Sequence, residues 1–224
     1  MRPPGGSRDD AGSVGRMSPS SNETTERRFR GRILGAGSTS GVRFVVGMWE
    51  SSPFGAFTDV FVELPDGSSV LLAPDEIVAA YVSGTYRFDA VSVVDIDARR
   101  TDRGLELDAG PLIASVDVGA ISPLGRVLRI VPKRIARDPR WLTVIDPVAK
   151  LVAPGAGTAG TAGNGRREYY GVTGAHDVVG VRGTWAGEAL GDLAPLDPPV
   201  RFGFASLPRI PQVVDVETTI RERA

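Results

Sequence analysis

The chain has 224 residues, a formal net charge of −1, 42% hydrophobic and 24% charged residues, and no cysteine. These values are typical of a globular protein with one core, and the absence of cysteine excludes disulfides, thiolate nucleophiles and cysteine-ligated metals. Nearly neutral charge argues against bulk attraction to nucleic acid. The sequence shows neither a run of about 18 apolar residues nor a signal-peptide core, so we expect a cytoplasmic protein without a transmembrane segment.

Residues 1–26 predict a disordered tail, because they contain too few large apolar side chains to offset the entropy lost on ordering. Translation could begin at Met1 or at Met17. A single β-rich domain is expected over residues 27–224, with "RFRGRILGA" as its first strand. The "GAGSTSG" that follows predicts a turn, because a phosphate-binding loop needs a lysine and a following helix.

Residues 42–64, "VRFVVGMWESSPFGAFTDVFVEL", are expected to form the antiparallel strand pair on which the sheet is built. In the second strand apolar side chains alternate with Asp59, Phe61 and Glu63, which predicts one dry face and one mixed face. The two carboxylates beside Arg43 form a candidate acid–base site. Solvent-facing residues of a half-exposed strand are the alternative.

The next segments predict a mixture of strands and one short helix. Asp66-Gly67 indicates a hairpin into a strand at residues 69–73, and a helix is expected from Pro74 to its stop at Gly84. The stretch "RFDAVSVVDIDARR" predicts one strand, and "LELDAGPLIASVDVG" predicts one or two more.

Residues 122–140 predict a helix with a concentrated basic face, capped by Ser122. Its basic residues are Arg126, Arg129, Lys133, Arg137 and Arg140. Such a face could bind an acidic partner or an anionic membrane surface, or it could be the solvated face of an amphipathic helix. It lacks interleaved aromatic residues, so nucleic-acid binding is not expected.

The Gly/Ala/Thr-rich residues 154–165 predict a flexible loop before "RREYYGVTGAHDVVGVRGTWAG", which reads as two strand-like runs around Gly174. Candidate ligand-binding residues in this stretch are Arg167, Glu168, Tyr170 and His176, the only histidine. An ordinary surface strand with cation–aromatic contacts is the alternative. The final stretch "VRFGFASLPRIPQVVDVETTI" is expected to supply two closing strands.

Together these elements, roughly nine or ten strands and two or three helices, predict a mainly antiparallel α+β fold, as a barrel or sandwich. We expect this domain to bind a small apolar or acidic metabolite, without a cofactor or metal. Its cavity is predicted to be lined by Phe44, Phe57, Phe61, Trp141 and Tyr170. Two alternatives remain open: an enzyme acting on an acidic metabolite, and an interaction module that uses the basic helix.

The stretches "SPFGAFTDVFVEL", "GTAGNGRREYYG" and "PPVRFGFASLPRIP" resemble an uncharacterised family of high-GC Gram-positive (actinobacterial) proteins, a likeness that spans Arg27 to Ile220 and implies no activity. A weaker resemblance is to acetoacetate decarboxylase-like proteins, whose Arg-Glu-x-x-Gly-x-x-Lys run is matched by Arg167, Glu168 and Gly171. Gly174 stands where that family has its Schiff-base lysine. The resemblance therefore implies a barrel-like fold with a ligand cavity and a lost or altered activity.

Overall fold

The computed structural model describes residues 24–132, 135, 140, 142, 159–161, 165–200, 202 and 209–223. These residues contain thirteen strands and two helices. The strands are β1 (Thr24–Ser38), β2 (Arg43–Ser51), β3 (Phe57–Glu63), β4 (Ser69–Ala73), β5 (Ala90–Val93), β6 (Asp97–Arg100), β7 (Gly104–Ala109), β8 (Leu112–Ile121), β9 (Ala159–Thr161), β10 (Arg167–Trp185), β11 (Glu188–Ala189), β12 (Leu193–Ala194) and β13 (Gln212–Arg223). The helices are α1 (Glu76–Ser83) and α2 (Pro123–Leu128), and neither helix in this part of the chain reaches the length that a membrane span needs.

The strands form one sheet in the order β5-β4-β3-β2-β1-β13-β10-β8-β7-β6, with β9 and β11 paired to β10 and β12 paired to β1. All of these pairs are antiparallel except β4–β5, where α1 carries the chain back to the same end of the sheet. The sheet curls into a half-barrel. The predicted α+β class, mainly antiparallel, is confirmed.

The curl of the sheet creates an inner face that holds the main core. Apolar residues of β1 to β4 meet those of β7, β8 and β10 there, and Phe44, Val60, Val62 and Leu112 are fully buried among them. The predicted dry face of β3 is therefore confirmed. The outer face carries α1, whose residues Val78, Ala79 and Val82 pack on β4.

Several elements differ from the prediction because pairing partners decide where a strand begins and ends. β1 begins at Thr24, three residues before the expected domain boundary, and Glu26 there binds Arg28 and Arg221. The strand expected over residues 87–100 is divided, since β5 pairs with β4 and β6 with β7. The Gly-rich segment includes β9, paired with β10.

The second half of the chain also departs from expectation. The two runs expected around Gly174 form one strand, β10, with a bulge between Val172 and Gly174. Only the second of the two expected closing strands is seen, as β13; most of the first lies outside the described residues. α2 follows the predicted cap at Ser122 but ends at Leu128.

Candidate functional site

A cavity of about 150 Å³ lies on the outer face of the sheet. Its floor is formed by alternate residues of β1, β2, β3, β10 and β13, because laterally paired residues of antiparallel strands point to the same face. Most of its wall is apolar. The aromatic residues that line it include Phe29, Trp49, Phe57, Phe61, Tyr81 and Phe202.

α1 and the turn after it cover the cavity. The Asp75 side chain caps the helix by accepting a hydrogen bond from the backbone N–H of Val78 at 2.8 Å. At the other end the Thr85 hydroxyl donates to the carbonyl of Tyr81 at 2.9 Å, which holds the turn against the helix. This arrangement places Tyr81 and Tyr86 over the floor strands.

Asp59 is the only charged side chain among the described residues that line the cavity. It is 3% exposed, and its Oδ1 accepts a hydrogen bond from Trp49 Nε1 at 3.0 Å. A Cβ at Gly47 would overlap that oxygen, so glycine at this position leaves the space in which the two side chains meet. Burial raises the pKa of Asp59 to about 7, although the Trp49 hydrogen bond opposes the rise.

Glu168 provides a second buried carboxyl group, beside the cavity. It is 0% exposed, and the Tyr86 hydroxyl lies 3.0 and 3.1 Å from its two oxygens. The Tyr170 hydroxyl donates to Glu168 at 3.1 Å and lies 2.8 Å from that of Tyr86. Burial raises the pKa of Glu168 to about 7 and the pKa values of both tyrosines well above their usual range. The three groups join the turn after α1 to β10.

Thr218 supplies a further polar group in the cavity wall. It is 3% exposed, and its Oγ1 has no hydrogen-bond partner among the described residues. Thr218 pairs laterally with Phe29 on β1 and Tyr170 on β10, both of which also line the cavity. A buried hydroxyl without a hydrogen-bond partner is energetically unfavourable, so Thr218 Oγ1 is a candidate contact for a bound molecule.

Arg43 and Glu63 lie on the same face but outside the cavity. Arg43 Nη2 lies 2.7 Å from Glu63 Oε1, and its Nη1 donates to the carbonyl of Pro198 at 2.8 Å. Asp59 and Glu63 therefore have different partners, Trp49 and Arg43, and a joint acid–base role for them stays a prediction.

The other predicted site residues are distributed between the two faces. Phe57, Phe61 and Tyr170 line the cavity, whereas Phe44 lies in the core of the inner face and does not line it. Arg167 is exposed, with its guanidinium 5.6 Å from the ring centre of Tyr169. Trp141 lies outside the described residues.

His176 borders a separate hollow of about 300 Å³ on the inner side of the sheet. Arg32 and Asp215, which form an ion pair at 2.8 Å, lie beside it. The structure therefore does not bring His176 together with Asp59, Glu168 or Tyr170. Among the described residues no group of three or more potential ligand side chains is arranged to hold a metal ion.

The basic stretch is only partly described. Arg126, Arg129 and Arg140 are exposed, while Lys133 and Arg137 lie outside the described residues. Binding of an acidic partner or membrane surface by this stretch stays a prediction.

The site residues that were missed from sequence include Gly47, Trp49, Tyr86 and Thr218. Gly47 is the lateral partner of Asp59, so the pairing of β2 with β3 could have identified it. Tyr86 and Thr218 carry no such local signal, because they reach the cavity only through the tertiary fold. No protein-family model and no curated protein matches the chain, so inference about function rests on this geometry.

Proposed function

We propose that the protein binds a compact, mainly apolar small molecule in the cavity beneath α1. The proposal is carried by one observation: an aromatic-lined cavity of about 150 Å³ with a few placed polar groups, the carboxyl of Asp59 and the hydroxyl of Thr218 among them. Small-molecule sites are concave and mostly apolar, with a small number of polar groups that orient the ligand.

The cavity volume limits the size of the ligand. Sites for drug-sized ligands occupy about 300–1,000 Å³, so the space beneath α1 suits a smaller molecule. An apolar cavity of ~150 Å³ is large enough for benzene. A ligand of about one ring, or an aliphatic chain of similar volume, fits the site.

The resemblance to acetoacetate decarboxylase-like proteins supports a cavity-bearing fold but not the chemistry of that family. Its Schiff base requires a lysine amine, and this chain has Gly174 at that position. A Cβ at Gly174 would overlap the carboxylate of Asp215, so a side chain there would have to displace that carboxylate.

An acid–base enzyme is the second candidate. Asp59 and Glu168 have pKa values of about 7, which suits groups that exchange protons near neutral pH. Glu168, however, is engaged by two tyrosines and does not itself line the cavity. No arginine lines the cavity among the described residues, so the expected acidic metabolite has no cationic partner there.

Toluene is a suitable probe of the binding function, because it is apolar and of the required size. We expect saturating toluene to raise the melting temperature of the wild-type protein by mass action. Val172→Phe, which fills the cavity from β10, should abolish that rise. Val179→Phe is the matched control on the same strand, since Val179 is 62% exposed. Absence of a rise in the wild type, or an unchanged rise in Val172→Phe, would contradict the proposal.

A further inference from the structure

The charges around the cavity are unequally placed. Asp59 lines it, whereas no lysine, arginine or histidine does so among the described residues. Arg27 and Arg166 lie nearby but contact the Tyr81 ring, at 5.5 and 4.3 Å, and Arg166 also forms an ion pair with Glu222 at 2.8 Å. An anionic ligand would meet a carboxyl group without a compensating cation.

The Asp59 carboxyl also has unused capacity to accept hydrogen bonds. Within the described structure its one side-chain donor is Trp49, which binds Oδ1. A carboxylate offers about four acceptor positions over its two oxygens. Since Asp59 is 3% exposed, water compensates little of that capacity, and a donor on a bound molecule would find acceptor positions available.

Aromatic rings line the same cavity as this carboxyl. Eight of the twenty described lining residues are aromatic, and the rings of Trp49 and Phe57, on the strands that carry Gly47 and Asp59, lie 6.4 Å apart. The faces of such rings carry negative electrostatic potential and attract cations, most strongly where water is excluded. One carboxyl among aromatic rings is the chemistry that recognises an ammonium group.

We propose that the ligand of this cavity is a small protonated amine, with its ammonium group against Asp59 and its apolar body among the aromatic rings. This inference rests on the proposed binding function and names the class of ligand. The Thr218 hydroxyl lies in the same wall and offers a polar contact to a second group on that molecule. The expectation of an acidic metabolite is thereby replaced.

Protonation of Asp59 makes binding depend on pH. Its pKa of about 7 reflects burial, and the titratable groups that face the cavity with it are Tyr81 and Tyr86 from α1 and its turn and Tyr170 from β10. Glu168, which binds Tyr86 and Tyr170 beside the cavity, also has a pKa of about 7, so the comparison with Asp59→Asn assigns the pH dependence to Asp59. Burial raises the pKa values of all three tyrosines, so they stay neutral near pH 7. Amine binding should therefore strengthen as pH rises through about 7 and Asp59 ionises, and it should release a proton when measured at or below that pH.

Four ligands of one ring test the ligand class: toluene, benzyl alcohol, benzylamine and benzoate. Calorimetric titration at about pH 8 keeps Asp59 ionised and an alkylamine protonated, since such amines titrate near the lysine value of about 10. We expect benzylamine to bind most tightly and benzoate most weakly. Asp59→Asn should weaken benzylamine by about 10-fold to 100-fold more than it weakens toluene, because only benzylamine loses a charge-assisted contact.

The outcomes separate this inference from the function on which it rests. If toluene binds but benzylamine binds no more tightly, or benzoate binds as well, the amine assignment is overturned and the binding function stands. If none of the four binds, both fail. If Asp59→Asn does not fold, the wild-type protein is titrated with each ligand near pH 7 in two buffers of different ionisation enthalpy, which reports the number of protons released on binding. Proton release with benzylamine but not with toluene supports the assignment. Equal proton exchange with the two ligands overturns it.

Discussion

Trp49 Nε1 donates a 3.0 Å hydrogen bond to Asp59 Oδ1 above the backbone of Gly47. Gly47 pairs laterally with Asp59, and Trp49 pairs with Phe57, so the bond runs diagonally between β2 and β3. It orients the one charged group that lines the cavity in the described part of the chain. That orientation requires glycine at position 47, because a side chain there would occupy the space of the carboxyl.

Gly47→Ala should therefore disturb the Asp59 carboxyl. The new Cβ would overlap Oδ1 of Asp59 and lie 2.8 Å from Trp49 Nε1. We expect a loss of about 1–3 kcal/mol in the free energy of unfolding, measured by urea denaturation. A double-mutant cycle with Asp59→Ala supplies the control, because removal of the carboxyl should reduce the cost of Gly47→Ala. Additive costs would show that the two positions are not coupled.

The two buried carboxyls should make the fold less stable as pH rises from acid to neutral. Asp59 and Glu168 keep their protons in the folded state up to about pH 7, whereas unfolded carboxyls lose theirs near pH 4. Between about pH 4 and 7 the folded state binds more protons, so the free energy of unfolding falls with rising pH, by about 1.4 kcal/mol per pH unit for each group. Above about pH 7 this contribution becomes constant.

The free energy of unfolding of Asp59→Asn is measured over the same pH range and subtracted from that of the wild type. The difference isolates the contribution of Asp59 to the pH dependence, since asparagine does not titrate. Relative to the wild type, Asp59→Asn should gain stability between about pH 4 and 7. A difference that is flat over this range would mean that Asp59 is ionised in the folded state at low pH.

Tyr86→Phe should destabilise the protein by removing a donor to the buried Glu168 carboxyl. The expected cost is about 1–3 kcal/mol in denaturant unfolding, and the pKa of Glu168 should rise further. Tyr169→Phe is the control, because the described ring contacts of Tyr169 are with Arg167 and Arg221 and phenylalanine retains them. Equal effects of the two substitutions would argue against the Tyr86–Glu168 contact.

Only part of this site could be predicted from the sequence. Alternation along β3 correctly separated the dry face from the face of Asp59 and Phe61, because both strands of that hairpin are regular. The same register pairs Phe44 with Val62, which places Phe44 on the inner face, against expectation.

β10 shows why the remainder could not be predicted. Tyr170 and His176 are six residues apart and would share a face in a regular strand. The bulge between Val172 and Gly174 inserts one residue, so positions beyond it change faces and His176 points away from the cavity side. Contacts such as Tyr86–Glu168, 82 residues apart, depend on the complete sheet order.

Arg43→Met should cost more than the loss of any exposed ion pair. Arg43 is 7% exposed and binds both Glu63, whose side chain is 15% exposed, and the carbonyl of Pro198, so its removal breaks a largely buried ion pair at a cost of about 3–5 kcal/mol. Arg99→Met removes the exposed pair with Asp97 and should cost less than about 1 kcal/mol. Similar unfolding free energies for the two variants would contradict the burial of the Arg43 pair.

The location of a bound probe tests the binding function most directly. Nuclear Overhauser effects between toluene and the methyl and indole protons of the protein report which side chains surround the bound toluene. We predict contacts to the methyls of Val45 and Val214 and to the Trp49 indole, which line the cavity on the outer face. Contacts confined to inner-face residues such as Leu107 and Val116, or none at saturation, would contradict a ligand site beneath α1.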